Sequence, residues 1–402
     1  VCCAPRPGGT SPAAREFQRP SHLMNDLPSM IKLAALALVV ASLPLSWWWL
    51  RQRGASTRAR LAALTVLTAF LTFDLIVFGA FTRLTDSGLG CPDWPGCYGQ
   101  ASPLAARADI HAAEQVLPDG PVTWAKAWIE MIHRYLAMTV GVLIMVAAAV
   151  GWRIRRQLPH SPWWGFATLA WVIVQGLFGK YTVTWKLYPA IVTAHLLGGI
   201  VLLGLLVLQH ESFRDRPLQM RIRTGLIATV LVLLVVQIAL GGWVSTNYAV
   251  LACSGFPSCN GQWWPPMDFD QGFAIARELG HTADGRLLPF EALVAVHWVH
   301  RAFAVVAIAA VLGLAWRLWH EDEPAARRYG AMLAVLVLAQ FASGLTNVVL
   351  DWPIVAALFH SAGAAAMAGV LTSLWARRHQ AESARRTAAE VPWRAQPTAS
   401  AR

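Results

Sequence analysis

Charge is what this chain has least of. Of its 402 residues only 14% are Asp, Glu, Lys or Arg, and the acids are the scarcer sign, 22 against 33 Lys and Arg. Cysteine and tyrosine each occur six times, while hydrophobic residues make up 56% and mean hydropathy reaches +0.46. So little charge excludes a disordered chain and most soluble enzymes, whose surfaces need more of it. The net charge of +11 therefore has another use. In so apolar a chain, surplus cations orient helices in a bilayer and do not grip phosphate backbones, which excludes a nucleic-acid-binding tail protein.

What fills the chain is long apolar runs. A run of about 20 residues crosses the hydrocarbon core of a bilayer, and nine candidates fall at 31–50, 61–82, 129–151, 163–183, 189–209, 225–246, 290–316, 329–350 and 354–376. Arginines cluster after every odd-numbered run: Arg51, Arg53, Arg58 and Arg60; Arg153, Arg155 and Arg156; Arg214, Arg216, Arg221 and Arg223; Arg317, Arg327 and Arg328; Arg377, Arg378, Arg385 and Arg386. The loops at 83–128, 184–188, 247–289 and 351–353 carry few cations and several acids. By the positive-inside rule the arginine side is cytoplasmic and the two long loops face the periplasm or its equivalent. This places the chain as a multi-pass protein of a bacterial-type inner (plasma) membrane, with a cytoplasmic C-terminus.

The run at 31–50 holds Pro44 and ends in Trp47, Trp48 and Trp49. A cleaved signal peptide here would put Arg51 to Arg60 outside and invert every later loop, so the run is expected to be a membrane anchor with its N-terminus outside, or an interfacial helix. Residues 1–30 are expected to be disordered or an artefact of the assigned start. A start at Met24 or Met30 would remove most of them, Cys2 and Cys3 included.

The other eight runs are two copies of one pattern. Cys91-Pro-Asp-Trp-Pro-Gly-Cys97 is followed by Gly99-Gln100, and 162 residues later Cys253-Ser-Gly-Phe-Pro-Ser-Cys259 is followed by Gly261-Gln262. Glu130-Met-Ile-His133-Arg134 answers His297-Trp-Val-His300-Arg301; Gln175 to Gly179 answers Gln340 to Gly344; His195 answers His360. Four helices per copy is an even number, so both copies lie the same way up about an axis along the membrane normal. The expected fold is all-α and integral to the membrane, with eight core helices in two pseudo-symmetric four-helix bundles plus the extra N-terminal helix. Its parts are the anchor at 31–50, an N-terminal bundle at 60–209, a cytoplasmic linker at 210–224, a C-terminal bundle at 225–376 and a cytoplasmic tail at 377–402.

Seven of the twelve histidines, His22, His111, His160, His210, His281, His320 and His379, lie in loops, tails or helix ends. His133, His195, His300 and His360 instead sit at similar depth, near the outer ends of helices running inward. An ionisable side chain there is costly unless its nitrogens are ligated or hydrogen-bonded. A structural histidine bonded across helices explains one such residue more readily than two repeat-related pairs. Two imidazoles from neighbouring helices of a bundle suit the axial positions of a haem iron, whereas tetrahedral zinc wants a third and fourth ligand. The copies differ at one telling place. Glu130 lies one turn outward of His133 on the same face, where the second copy has His297. A carboxylate beside a porphyrin can act as a base or stabilise positive charge, which assigns catalysis to the first bundle and a resident haem to the second. A structural role, facing headgroups or pairing with Arg134, is the alternative.

Cys91 with Cys97 and Cys253 with Cys259 lie in Pro/Gly-rich loops on the oxidising side, and a disulfide is expected in each. Two roles stand open for both: a loop staple, and thiol–disulfide exchange. Arg134 and Arg301 are candidates for haem propionates, against snorkelling or pairing with backbone carbonyls. Trp94, Trp263 and Trp264 in the outer loops would suit porphyrin stacking.

The run Thr82-Arg-Leu-Thr-Asp-Ser-Gly-Leu89 leading into Cys91 and Trp94, the Glu130-x-x-His133-Arg134 and His297-x-x-His300-Arg301 motifs, and the pair His195 and His360 together resemble the haem A synthase family. The resemblance covers about residues 60–376. It implies a membrane oxidoreductase that converts haem O to haem A by oxidising the C8 methyl group of the porphyrin to a formyl group. It also implies that His133 and His195 ligate the substrate haem O, with Glu130 beside the reacting ring, that His300 and His360 hold a haem b, and that Cys91 and Cys97 are linked to activity. The implied partners are haem O synthase, a farnesyltransferase, and the assembly of haem-copper terminal oxidases; a homo-oligomer is left open. The run at 31–50 and the intramembrane Asp74, whose counterpart is Val236, depart from the family plan. A transmembrane di-haem b electron-transfer protein and a haem-delivery protein are the competing functions.

Overall fold

With almost no charge inside the nine runs, each run satisfies its backbone internally, which in lipid means a helix. The computed structural model describes residues 27–214 and 216–390. The expected disordered stretch up to residue 26, with Cys2, Cys3 and His22, lies outside the described residues, as do residues 391–402. Among the described residues there are nine helices long and apolar enough to cross a membrane. They are α1 (Leu27–Arg51), α2 (Thr57–Leu84), α4 (Trp124–Arg153), α5 (Trp163–Thr184), α6 (Pro189–Arg214), α7 (Thr224–Thr246), α9 (Phe290–Trp319), α10 (Pro324–Val349) and α11 (Ile354–Glu390). Two short helices, α3 (Arg107–Val116) and α8 (Phe269–Gly272), lie in the long loops.

Local chemistry sets the helix starts. Ser56 accepts from the Ala59 N–H at 3.3 Å and Thr123 from the Lys126 N–H at 3.3 Å, so each caps one orphan donor. Along α2, Thr65, Thr68 and Thr72 donate to carbonyls four residues back at 2.7–3.0 Å, which leaves no hydroxyl unpaired on a buried face.

α2, α4, α5 and α6 close one ring, in which α2 packs on α4 and α6, and α5 on α4 and α6; α7, α9, α10 and α11 close the equivalent ring. The rings meet through α6 on α11, α2 on α11 and α6 on α7. The last two pairs are one contact seen twice, and α6 on α11 is a contact with its own counterpart. That is the pattern of a two-fold axis between the bundles. The apolar core that joins them includes Ile200, Leu203, Leu234, Val337 and Leu371. Polar ties lie at both ends of the seam. Towards the end that carries the cysteine loops Thr193 and Thr246 bond at 3.1 Å, and Tyr248 donates to Asp86 while the Arg83 guanidinium lies over its ring. Burial, helped by Asp86, outweighs Arg83 and pushes the Tyr248 hydroxyl up to about 12, so it remains the donor at neutral pH. Towards the other end Ser373 donates to Glu211 at 2.7 Å.

Two boundaries move. Residues 210–214, expected in the linker, complete α6, and residues 377–390, expected as a tail, continue α11. The extension holds the linker: Leu218 N–H donates to Arg377 O at 3.0 Å, Arg378 to Ile222 O at 2.7 Å, and Glu382 accepts from Thr224 N–H at 3.1 Å and from its hydroxyl at 2.7 Å.

The extra helix α1 packs only on the first bundle, against α4 and α2, and accommodates Pro44 within it. Leu33 joins the cluster of Cys91, Cys97, Ala127 and Met131, and Trp48 joins Leu61, Leu64 and Leu143. Ala41 is fully buried on this face while Leu38 is 61% exposed. Ala41→Phe is expected to force α1 away at a cost of about 1–3 kcal/mol; Leu38→Phe is expected to be neutral. Thermal unfolding of the two variants in detergent micelles measures the difference.

Candidate functional site

The four repeat-related histidines come from four different helices: His133 from α4, His195 from α6, His300 from α9 and His360 from α11. His133 and His195 lie within electrostatic reach of one another, and so do His300 and His360. Each bundle thus brings two imidazoles together.

Every one of these rings rests against a glycine of the preceding helix in its bundle. A Cβ on Gly79 would meet His133 Cε1 at 3.0 Å, and one on Gly241 would meet His300 Cε1 at 3.0 Å. On Gly179 it would meet His195 Cε1 at 3.4 Å, and on Gly344 His360 Cε1 at 3.2 Å. Behind the second ring of each pair, the Gln175 side chain fills the place of a Cβ on Gly198, and Gln340 does the same at Gly363. The sequence shows Gln175 and Gly179 repeated as Gln340 and Gly344 but not their place against the rings, while Gly79 and Gly241 went unread although they too share a repeat position.

The imidazoles differ in their polar company. His133 Nδ1 and His195 Nδ1 are buried without a hydrogen-bond partner among the described residues. In the second bundle, His300 Nδ1 accepts from the Gln237 amide at 3.1 Å and His360 Nδ1 lies 3.1 Å from the Ser343 hydroxyl. No group of three or more His, Cys, Asp and Glu side chains that could hold a metal ion is found among the described residues. Tetrahedral zinc is therefore a poor match. Two buried imidazoles per bundle, seated on glycines and partly unpaired, fit the two axial ligands of a haem, whose macrocycle supplies the other four nitrogens.

One turn outward of His133, Glu130 is 4% exposed and bound on both oxygens: Oε2 accepts from the Cys91 N–H at 2.7 Å, and Oε1 pairs with Arg134. Arg134 also donates to the carbonyls of Pro95, at 3.2 Å, and Gly96. The second copy keeps the plan with different chemistry. Arg301 donates to His297 Nε2 at 3.1 Å, to Gly255 O at 2.9 Å and to Cys253 O at 2.6 Å. Both arginines thus bond loop carbonyls, the alternative held beside a propionate role. Each loop carries its disulfide, Cys91–Cys97 or Cys253–Cys259, with Cα atoms 4.9 and 4.7 Å apart. Cys91 and Cys97 are fully buried. The pairing of Glu130 with Arg134, held as the structural alternative, is present, and it holds the carboxylate at the Cys91 amide, three residues before His133 on the same helix.

The structure does not bring every candidate to the histidines. Trp263 and Trp264 are 74% and 66% exposed, with Trp264 edge-on to Trp298. Lys180, beside Gly179, lies over the Trp94 ring at 5.8 Å. Asp74 makes no hydrogen bond or ion pair among the described residues.

Comparison with known proteins gives the family. Residues 62–372 match the cytochrome oxidase assembly protein family. A protein named heme A synthase from Shewanella oneidensis is 34% identical over 314 residues, which is 77% of this chain and 93% of that protein. Proteins of the same name from Methylobacterium nodulans and Shouchella clausii are 30% and 28% identical, over 75% and 72% of this chain and 87% and 86% of theirs. The matched segment starts within α2 and ends within α11, so it takes in both bundles and all four histidines, and the chain belongs to the cytochrome oxidase assembly protein family that contains the haem A synthases.

Proposed function

We infer that this chain is a haem A synthase, a membrane enzyme that oxidises haem O to haem A for the assembly of haem-copper oxidases. The observation that carries the reading is the pair of buried imidazoles in each bundle, each seated on a glycine, with a carboxylate beside only the first pair. His133 and His195 would hold the substrate haem O. His300 and His360 would hold a resident haem b, which supplies one-electron chemistry when bound. The arginine-rich ends lie in the cytoplasm together with the C-terminus, and both cysteine loops lie outside; the alternation of arginines along the sequence supports this orientation.

Oxidation of a ring methyl to a formyl group takes up one water oxygen equivalent and gives up four electrons and four protons. Glu130 suits two tasks in that change. Its charge can stabilise positive charge developing next to the ring, and its carboxylate can accept a proton. Arg134 and the Cys91 amide hold it in position, so the reacting end of the site and the disulfide loop form one unit. Cys91 and Cys97 serve this arrangement as the staple. Exchange with an outside thiol needs an accessible sulfur, and both are shut in. Substrate would come from a haem O synthase, and the product would pass to oxidase assembly.

Co-expression with a haem O synthase, followed by acid extraction of membrane pigments, tests the function. A formyl-bearing porphyrin is expected. Unaltered haem b alone would favour a di-haem electron carrier, and loosely held, unaltered haem a delivery protein. Within the same experiment Glu130→Gln, which keeps the shape and removes the charge, is expected to retain bound haem. Formyl product should fall about 100-fold or more, the lower end of what a positioned acid or base contributes, with unreacted or hydroxylated porphyrin in its place. An unchanged product ratio would remove Glu130 from the chemistry.

A further inference from the structure

The two bundles share a scaffold but differ behind their imidazoles. Gln237 stands four residues before Gly241 on α7, and the matching residue before Gly79 on α2 is Leu75. Ser343 immediately precedes Gly344 on α10, and Phe178 immediately precedes Gly179 on α5. Two polar groups within 3.1 Å of Nδ1 in one bundle are thus replaced by two apolar side chains in the other, where both Nδ1 atoms are buried and unpartnered. The carbonyls of Gln175 and Gln340 lie near His195 and His360 respectively, so that element is common to both halves and the polar side chains make the difference.

An iron on Nε2 leaves the imidazole proton on Nδ1. An acceptor for that proton fixes the plane of the ring and makes the ligand more basic, and such partners typically change metal affinity 10- to 100-fold. Gln237 has the acceptor at hand: its Oε1 is buried with no partner, and a half-turn of the amide brings it to His300 Nδ1 in place of the nitrogen, giving up that nitrogen's longer 3.3 Å bond to the His300 carbonyl. The Ser343 hydroxyl serves as donor or acceptor without moving. Without such partners, the Nδ1 proton of His133 stays unpaired and that of His195 has only the nearby Gln175 carbonyl, which leaves the first pair less firmly held than the second.

We propose that Gln237 and Ser343 are positioning residues that lock haem into the second bundle, and that Leu75 and Phe178 keep the first bundle loose enough for haem to enter and leave. This rests on the assignment of a resident haem to His300 and His360. Under that assignment the division of labour follows, because substrate must arrive and product depart at every turnover on one side only.

The test uses the purified full chain loaded with haem. It reads the low-spin ferric electron paramagnetic resonance spectrum, the midpoint potential, and the rate of haem transfer to excess apomyoglobin. Gln237→Leu is expected to shift the resonance of the second-bundle haem, to raise its potential because a less basic imidazole stabilises ferric iron less, and to speed its loss about 10-fold or more. Gln237→Glu, which keeps an acceptor, is expected to restore slow loss. Ser343→Ala removes only a hydroxyl and gives the same comparison should Gln237→Leu fail to assemble. In the other bundle Leu75→Gln is expected to slow transfer of the exchangeable haem by a similar factor. Fully loaded Gln237→Leu and Ser343→Ala proteins with wild-type potential, resonance and transfer rate would overturn the proposal. His300→Ala and His360→Ala serve as the separate control: if they leave the slowly exchanging haem unaltered, the assignment of that haem fails, whatever the clamp variants do.

Discussion

An imidazole inside a helical bundle in a membrane has few ways to satisfy both nitrogens, and the rest of this structure depends on that constraint. Water is absent, backbone donors and carbonyls are spent within the helices, and an unpaired buried nitrogen costs free energy. Four such rings persist here, and each has a glycine opposite it where any other residue would crowd the ring. A fold that places a costly side chain and clears space beside it four times over is built around something that binds there. The proposed haem, which His133 with His195 and His300 with His360 would hold, would answer both features.

Everything farther out serves to hold those rings. The two-fold arrangement gives each bundle the same helix order, so one solution for seating a pair of imidazoles is used twice. The outer loops are tied down by an arginine one residue after the first histidine of each pair, which bonds the loop carbonyls, and by a disulfide within each loop. Glu130 couples loop and helix in the first copy because it binds Arg134 and the Cys91 amide together. His297 can accept from Arg301 but brings no charge, so the second copy keeps the mechanical tie and lacks the acid. The two repeated bundles therefore differ in the chemistry around their histidines and not in the frame.

Much of this was legible in the sequence, for identifiable reasons. Spans follow from apolar length, orientation from arginine placement, and the repeat from cysteine and histidine spacing, all of which are properties of single segments. Relations along one helix were within reach too, since Glu130, His133 and Arg134 lie three to four residues apart. Relations between helices were not. Gly79 looks like any glycine in a membrane helix until His133 is seen against it, and the repeated Gly179 shows no role until His195 is. Gln237 shows no significance until its amide is found at His300, and Leu75 none until it is matched to Gln237. The reach of α11 to Glu390 was missed because residues 377–390 are polar, and only their bonds to the linker explain why they stay helical.

The central claim is that each bundle binds iron through two histidine side chains, and pulsed electron nuclear double resonance on the ferric protein tests it most directly. Protein grown with nitrogen-15 histidine and loaded with haem of natural isotope content separates imidazole nitrogens from porphyrin nitrogens. The account predicts two strongly coupled nitrogen-15 nuclei on each of two distinct low-spin irons. An iron with a single labelled nitrogen, or with none, would contradict it.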